Sequence, residues 1–198
     1  MIQSVGIFCG SSKGRDIHYE NVSSQYIKLL VQDNIRIVYG AGSTGIMGVV
    51  AETALNMSGN ITGVAPGFLH EKEVCHNGLT DMYIVDNMFE RKELLMKLSD
   101  AFAILPGGIG TMDEFFEVFT ALQLETIHKP VGILNVNGYY DHLIGMLQNM
   151  VNEKFLRKEH FNALVIESDP DEFHRRLMSH KPEKVNSWVD ELRKTNQF

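Results

Sequence analysis

The stretch Leu105–Glu117, LPGGIGTMDEFFE, joins a short apolar run to an acidic, phenylalanine-rich segment through three glycines. The run that leads into it, AFAILP, has the length and composition of a buried strand, and the residues after it keep helical spacing from about Thr111 to Thr126. The glycines therefore predict a tight turn from a strand into a helix. At such a turn, backbone N–H groups and the positive end of the helix dipole face one point, which suits an anion.

Short apolar runs alternate with helical patterns along the chain. The predicted strands are SVGIFC, IRIVYG, NITGVAP, MYIVD, AFAILP, PVGILNV and ALVIES. This alternation predicts an α/β fold, a Rossmann-like three-layer α/β/α arrangement with a mostly parallel sheet, formed by residues 1–198 as a single nucleotide-binding domain. Within it, residues 183–195 carry an apolar stripe that predicts a C-terminal helix, docked either on the core or on a second subunit.

Three glycine-bearing loops, CGSSKG, GAGSTGIMG and PGGIGT, follow predicted strands. They should converge on the ligand crevice, which in a parallel α/β sheet lies beyond the carboxyl ends of the strands. The loop PGGIGT predicts a phosphate site, because two adjacent glycines and a third two residues later exceed what a helix cap requires. Thr111, at or near the N-cap, is expected to cap the helix or to contact a phosphate oxygen.

The loop GAGSTG, residues 40–45, matches the G-x-G-x-x-G pattern of dinucleotide sites. A dinucleotide site also needs an acidic residue near the end of the next strand, where this chain reads GVAPGF. The loop moreover follows the second predicted strand, whereas a Rossmann enzyme uses its first. The sequence therefore favours a mononucleotide over NAD, and no cofactor is expected.

The composition is typical of a globular protein, with 198 residues, 44% of them hydrophobic and 22% charged. A net charge of −7 argues against nucleic acid or an anionic membrane as a main partner. Two cysteines, Cys9 and Cys75, form no CxxC pair, and the N-terminus lacks the features of a signal peptide, so we expect a cytoplasmic protein. His70, Cys75 and His76 share a loop without a recognised ligand spacing, so no metal is expected.

One basic residue stands on the apolar side of a predicted helix. Over NMFERKELLMKL, Arg91 lies in the middle of the apolar stripe, and Glu90, Glu93 and Lys97 lie on the opposite face. Since arginine is almost never fully buried unless it is paired, Arg91 must meet an anion in the interior. Two interpretations stay open: a buried ion pair with a carboxylate, or a pocket residue that faces a phosphate or a carboxylate-flanked site.

Two carboxylates follow the glycine turn on the flank of the next predicted helix. Glu114 comes one turn after Thr111 and should project toward whatever the glycine loop holds, with Glu117 one turn further on. Two like charges side by side raise a pKa or require a partner, and Arg91 is the predicted partner. The attraction of acids to a helix N-terminus explains Asp113 adequately, but it explains the two glutamates less well because they lie beside the core.

The motifs MFERK, residues 88–92, and PGGIGTMDE, residues 106–114, together resemble those of the Lonely Guy family. These are nucleoside 5′-monophosphate phosphoribohydrolases that activate cytokinins and are often mislabelled lysine decarboxylases. The likeness extends through FCGSS, GAGSTGIMG and HKPVGILNVNGYYDHL. The resemblance implies a protein with a Rossmann-like fold that is usually a homodimer. It also implies an enzyme that releases the free base and ribose 5-phosphate from a purine nucleoside 5′-monophosphate of cytokinin or adenosine type.

The resemblance implies that Arg91 and Glu114 are the catalytic pair. We expect Glu114 to stabilise the positive charge that develops on the ribose and to hold the attacking water, with Glu117 at the ribose hydroxyls. Arg91 would orient Glu114 or stabilise the departing base. The other expected substrate contacts are Gly107, Gly108, Gly110, Thr111, Met88, Lys92, Gly42, Gly45 and Ser11. The family pattern has His where this chain has Phe89, a position that points away from Arg91 by helical angle.

Two alternatives compete with this interpretation. The segment TIHK, residues 126–129, is similar to the Ser-x-His-Lys of pyridoxal-phosphate enzymes and would suit a decarboxylase. Lys129 lies at a predicted helix-to-strand junction, however, where a basic residue suits the helix C-terminus, so a structural role is expected. The second alternative is a non-catalytic nucleotide or molybdenum-cofactor carrier of the same fold, against which the charged pair favours the enzyme.

Overall fold

The sheet of the protein is built from seven parallel strands. The structure, a computed structural model, describes residues 2–71 and 74–182. Within these residues the strands are β1 (Ser4–Phe8), β2 (Arg36–Tyr39), β3 (Ile61–Pro66), β4 (Asp81–Val85), β5 (Ala101–Ile104), β6 (Val131–Leu134) and β7 (Leu164–Glu167). Their order is β4-β3-β2-β1-β5-β6-β7, and every neighbouring pair is parallel. The predicted parallel sheet is confirmed.

Eight α-helices lie between or after the strands in the described residues. They are α1 (Ile17–Gln32), α2 (Gly45–Asn56), α3 (Gly67–His70), α4 (Met88–Leu98), α5 (Ile109–Gln123), α6 (Asp141–Asn152), α7 (Lys158–Asn162) and α8 (Pro170–Ser179). A short 3₁₀ helix spans Val136–Gly138. The C-terminal helix predicted for residues 183–195 lies outside the described residues.

Six strands, β1, β2, β3, β5, β6 and β7, contribute to two hydrophobic cores, one on each face of the sheet. In β1, Ile7 packs in the core formed with α1, α2 and α8, whereas the next residue, Phe8, packs in the core formed with α4, α5 and α6. The same alternation separates Ile37 from Val38 in β2. Because successive side chains of a strand point to opposite faces, this alternation requires helices on both faces. The three-layer α/β/α prediction is confirmed.

The position of β1 in the sheet locates the ligand crevice. After β1, the chain adds strands on one side as far as β4 and then crosses back to place β5 on the other side of β1. The loops after β1 and β5 therefore diverge at this topological switch point, where open α/β sheets bind ligands. Register pairs Phe8 with Ile104, so both loops begin at the same level.

Some helix boundaries differ from the sequence prediction. Helix α5 begins at Ile109 with Gly108 as its N-cap, so Thr111 lies inside the first turn and is not the cap. Gly110 lies in the same turn, where the backbone N–H groups have no intrahelical acceptor. Helix α3 forms within a region predicted to be a loop, and α7 and α8 were not predicted. In the described ranges, no helix combines the length and the apolar character that crossing a membrane would require.

Candidate active site

A cleft of about 210 Å³ opens at the switch point between β1 and β5. Its walls come from the loop after β1, from the starts of α2 and α4, and from the first turn of α5. The lining residues are Cys9, Gly10, Ser11, Met47, Met88, Arg91, Gly108, Ile109, Gly110, Thr111, Asp113 and Glu114. Seven of the predicted site residues thus face one cleft, namely Ser11, Met88, Arg91, Gly108, Gly110, Thr111 and Glu114.

Arg91 and Glu114 form a buried ion pair inside this cleft. The distance from Arg91 Nη1 to Glu114 Oε1 is 2.8 Å, and both residues are 8% exposed. Arg91 Nε–H also donates to the backbone carbonyl of Val64, at 3.1 Å. The predicted pairing is confirmed. The guanidinium is held both by the Glu114 side chain and by a backbone carbonyl of β3.

The start of α4 explains how an arginine comes to lie in the interior. The Asn87 side chain caps the helix by accepting from the N–H groups of Phe89 and Glu90. With the first turn fixed in this way, the residue at position 91 faces the sheet together with Leu95, while Glu90 stays exposed. Cap and helical period together aim Arg91 at the carboxyl ends of the strands.

Glu114 has an altered acidity because of its surroundings. Burial raises the pKa of Glu114 above the ordinary value, the Arg91 guanidinium acts in the opposite direction, and the charges of Asp113 and Glu117 raise it further. Desolvation disfavours the carboxylate form, and the arginine restores part of what burial costs. The result is a carboxyl group that is more basic than one in water and fixed in position.

Cys9 also lines the cleft, beside the charged pair. Burial raises the pKa of its thiol, the Glu114 carboxylate raises it further, and Arg91 opposes both. The thiol therefore stays protonated at neutral pH. Since the thiolate is the nucleophilic form of cysteine, Cys9 is a neutral wall of the cleft.

The glycine turn after β5 presents the N-terminus of α5 to the same cleft. The first hydrogen bond of α5 comes from the N–H of Met112 to the carbonyl of Gly108, so the N–H groups of residues 109–111 have no intrahelical acceptor. A Cβ at Gly108 or at Gly110 would meet nothing within 4 Å. Packing does not require these two glycines, and without side chains they leave the N–H groups open to a ligand.

Gly107 has a different role from the other two glycines of the turn. A Cβ at Gly107 would collide with Thr111 and with the backbone of Gly10. Two tyrosines hold the turn from outside, since the Tyr139 hydroxyl donates to the carbonyl of Gly107 and the Tyr140 hydroxyl to that of Leu105, both at 2.7 Å. These tyrosines were not predicted as part of the site, although both belong to the segment GYYDHL.

Lys92 and Glu117 lie outside the cleft lining. Lys92 Nζ is 3.0 Å from Glu117 Oε2 and 3.3 Å from Asp113 Oδ2. Glu117 therefore finds its cation in Lys92, and not in Arg91 as the sequence suggested for the two glutamates together. The expected contacts of Lys92 and Glu117 with substrate stay predictions.

The glycines of the loop GAGSTG, residues 40–45, have packing contacts. Gly45 has a φ of +65°, and a Cβ there would overlap the backbone of Ser11 and Ser12. A Cβ at Gly42 would meet the Met47 side chain. Neither glycine lines the cleft, so the structure gives both a packing role, and their contact with substrate stays a prediction.

The ammonium group of Lys129 is hydrogen-bonded to the backbone. Its Nζ donates to the carbonyl of Met96 at 2.8 Å, and burial lowers its pKa. This contact satisfies an unpaired carbonyl in the last turn of α4, a structural role at a different helix from the one expected. Across residues 2–71 and 74–182, no three His, Cys, Asp or Glu side chains are grouped so that they could hold a metal ion.

A parallel sheet with a glycine-lined helix N-terminus and a buried Arg–Glu pair at its switch point defines a Rossmann-like α/β protein. Residues 47–177 match the family model described as "Possible lysine decarboxylase". The chain is 38% identical over 185 residues to the probable cytokinin riboside 5′-monophosphate phosphoribohydrolase LOGL2 of Oryza sativa subsp. japonica, with 92% of this chain and 76% of the relative covered. It is 39% identical over 155 residues, 78% of each chain, to the cytokinin riboside 5′-monophosphate phosphoribohydrolase of Rhodococcoides fascians. The chain therefore belongs to the Lonely Guy family, whose curated relatives carry this enzyme name.

A solved structure with the same architecture is the molybdenum cofactor binding protein from Rippkaea orientalis. It matches with a TM-score of 0.64 at 18% identity, over 100% of this chain and 99% of that one. At this identity the match demonstrates the shared fold alone.

Proposed function

We propose that the protein hydrolyses the N-glycosidic bond of a purine nucleoside 5′-monophosphate and releases the free base and ribose 5-phosphate. The observation that carries this proposal is the buried Arg91–Glu114 pair, which opens into the same cleft as the N-terminus of α5. The family relatives named as phosphoribohydrolases of a cytokinin riboside 5′-monophosphate support the same reaction.

The first turn of α5 supplies the proposed phosphate site. The N–H groups of residues 109–111 point out of the helix, and the helix dipole adds partial positive charge at that end. Gly108 and Gly110 leave room for the anion, and Ser11 lines the opposite wall with a hydroxyl group. Binding the 5′-phosphate here fixes the distance from the sugar to Glu114, which lies one turn further along the same helix.

Glu114 is the proposed catalytic carboxylate. Cleavage of the bond between the base and C1′ of the ribose builds positive charge on the sugar ring, as in other glycoside hydrolyses. The electron pair of the broken bond leaves with the base, which takes up a proton from solvent. A carboxylate with a raised pKa stabilises the charge on the sugar and accepts a proton from the water that attacks C1′. Arg91 orients the carboxylate through the ion pair with Glu114.

A non-catalytic carrier is the competing function. The molybdenum cofactor binding protein has the same fold, and a fold match at low identity does not distinguish carriers from enzymes. A carrier needs no buried carboxylate beside the ribose, whereas a hydrolase does. The positions of Arg91 and Glu114 therefore favour the enzyme.

The proposed assembly is a homodimer that covers the rim of the cleft. At the starts of α4 and α5, Phe89 is 81% exposed and Ile109 is 87% exposed, and Met88 and Phe116 lie partly exposed nearby in sequence. Apolar side chains of this size beside a polar cleft are typical of an interface. With a net charge of −7, we expect no nucleic-acid partner. The cytoplasmic location proposed for the protein rests on its two cysteines, which form no CxxC pair.

The decisive experiment is a substrate panel scored by release of free base. AMP, isopentenyl-AMP, GMP and CMP are incubated with the protein beside the matching nucleosides, and the bases are separated by chromatography. We expect base release from purine monophosphates and little from nucleosides, because the phosphate contacts position the bond. Nucleotide binding without any base release would instead identify a carrier. Molar mass measured by light scattering tests the dimer in the same preparation.

A further inference from the structure

Gly40, directly after β2, lies against the guanidinium of Arg91. A Cβ built on Gly40 would lie 1.9 Å from Arg91 Nη2 and 3.1 Å from Arg91 Cζ. Its third neighbour, the Met47 sulfur, would be at 3.6 Å, which is an ordinary contact distance. The guanidinium therefore occupies the space that a side chain at position 40 would need.

The backbone itself does not require glycine at this position. Gly40 has a φ outside the left-handed region, where any L residue is accommodated, whereas the next residue, Ala41, is buried and has a φ of +62°. If backbone conformation selected the glycine of this pair, glycine would be expected at position 41. Its presence at position 40 points to the space that Arg91 fills.

Gly40 completes a slot with two polar contacts. Arg91 Nε–H donates to the carbonyl of Val64 in β3, and Arg91 Nη1–H donates to Glu114 Oε1 on α5. The guanidinium is planar and rigid, so a group that displaces Nη2 also rotates Nη1 and Nε. A methyl group at position 40 would thus reach the Arg91–Glu114 bond without touching Glu114.

We propose that Gly40 is a positioning residue for the reaction, because its missing side chain creates the slot that holds Arg91 against Glu114. This inference rests on the proposed hydrolase function. It predicts that Gly40→Ala impairs turnover more than substrate binding, because the three atoms nearest to a Cβ at position 40 belong to Arg91 and Met47, and none belongs to the proposed phosphate site on α5.

The test measures Gly40→Ala beside Gly145→Ala. Gly145, in α6, is exposed, and a Cβ there would meet nothing within 4 Å, so Gly145→Ala is a matched control that should keep full activity. For Gly40→Ala we expect kcat on AMP to fall on the order of 100-fold, the loss typical of a displacement of about 1 Å in an active site. KM for AMP should change by less than about threefold, since phosphate binding is uniform between ground state and transition state.

A double-mutant cycle with Arg91→Ala distinguishes a specific clash with the Arg91 guanidinium from a general effect of the substitution on the backbone. With the guanidinium gone, the new methyl group has free space, so Gly40→Ala should change neither the residual turnover nor the melting temperature of the Arg91→Ala protein. If Gly40→Ala alone fails to fold, the double variant should still have the stability of Arg91→Ala, which carries only the cost of the lost ion pair.

Three outcomes would overturn the inference. They are unchanged kcat in Gly40→Ala, equal losses from Gly40→Ala in both backgrounds, and a double variant that is less stable than Arg91→Ala. The melting temperatures of the cycle do not depend on catalysis. A wild-type protein that releases no base would therefore reject the proposed function and still leave the slot testable.

Discussion

Two ion-pair clusters join α4 to α5, and they begin at adjacent residues of α4. Arg91 turns inward and meets Glu114 in a cleft, with both residues almost fully buried, whereas Lys92 turns outward and contacts Glu117 and Asp113 near the surface. A helix rotates its side chains by about 100° per residue, which is enough to place one cation in the interior and the next at its edge. Helices α4 and α5 thus carry a buried ion pair suited to catalysis and an outer cluster of ion pairs that links the two helices. The degree of burial distinguishes the two.

The largest expected difference between the two clusters concerns turnover. Glu114→Gln keeps the shape of the side chain but removes the charge that stabilises the developing sugar cation, so kcat should fall on the order of 1,000-fold or more. In the outer cluster, Glu117→Gln should lower kcat by less than about tenfold, because that carboxylate is paired with Lys92 outside the cleft lining. Base release from AMP under saturating conditions measures both.

Nucleotide binding provides the control for this prediction. Glu114→Gln should bind AMP with an affinity close to that of the wild type, as measured by calorimetry, since the phosphate cradle is intact. A variant that keeps most of its turnover would remove Glu114 from the mechanism, and one that only loses affinity would make it a binding residue.

Stability should separate the clusters next. Arg91→Met leaves a buried carboxylate without its cation and should cost about 3–5 kcal/mol of the free energy of unfolding at neutral pH. Lys92→Met disrupts contacts with carboxylates that remain partly exposed and should cost about 1 kcal/mol or less. Urea denaturation followed by circular dichroism gives both values.

The penalty in Arg91→Met should also depend on pH. Without the guanidinium, the pKa of Glu114 in the folded state rises further above its unfolded value. A carboxyl group with a raised folded pKa contributes stability at acidic pH and loses that contribution as the pH rises through the folded pKa. The deficit relative to wild type should therefore shrink as the pH is lowered, and a deficit that stays constant with pH would indicate lost packing instead of an unpaired charge.

The sequence allowed much of this comparison to be predicted, for a physical reason. The inward position of Arg91 follows from helical period and hydrophobic pattern, and its pairing with Glu114 follows from the rule that buried charges require partners. The role of Gly40 could not be predicted in the same way. It depends on how closely the loop after β2 approaches α4, a tertiary distance that no local pattern encodes.

Local signals were present for one element that was not predicted. Asp169 caps α8 by accepting from the N–H of Glu172, and Pro170 occupies the first turn. This combination of an acidic cap, a proline and an acid three residues after the cap marks a helix start in sequence. The partner of Glu117, in contrast, was decided by packing, since two cations on α4 were available and only the structure shows which one lies within reach.

The pH dependence of turnover should sharpen the comparison further. Because the reaction needs the ionised form of Glu114, kcat should decrease as the pH falls through the pKa of this group, which burial raises above that of an ordinary glutamate. In Arg91→Lys the cation is retained with a different shape, so the acidic limb should move less than in Arg91→Met, where it should shift to higher pH. In Lys92→Met the limb should move only slightly to higher pH, because the Asp113 and Glu117 charges that lose their cation affect the pKa of Glu114 less than Arg91 does. A shift as large as that of Arg91→Met would show that the outer cluster acts on Glu114 as strongly as the inner pair.

Salt should produce the smallest difference. At about 1 M salt the Debye length is about 3 Å, so attraction between exposed charges is largely screened, whereas a pair shielded by protein is screened much less. The cost of Lys92→Met should therefore approach zero at high salt, while the cost of Arg91→Met should remain, because water and ions reach Asp113 but hardly reach Glu114. Urea titrations of both variants and the wild type at low and high sodium chloride give the comparison. Equal salt sensitivity in the two clusters would mean that the inner pair is as accessible as the outer one, and burial would then no longer explain why only one of them is suited to catalysis.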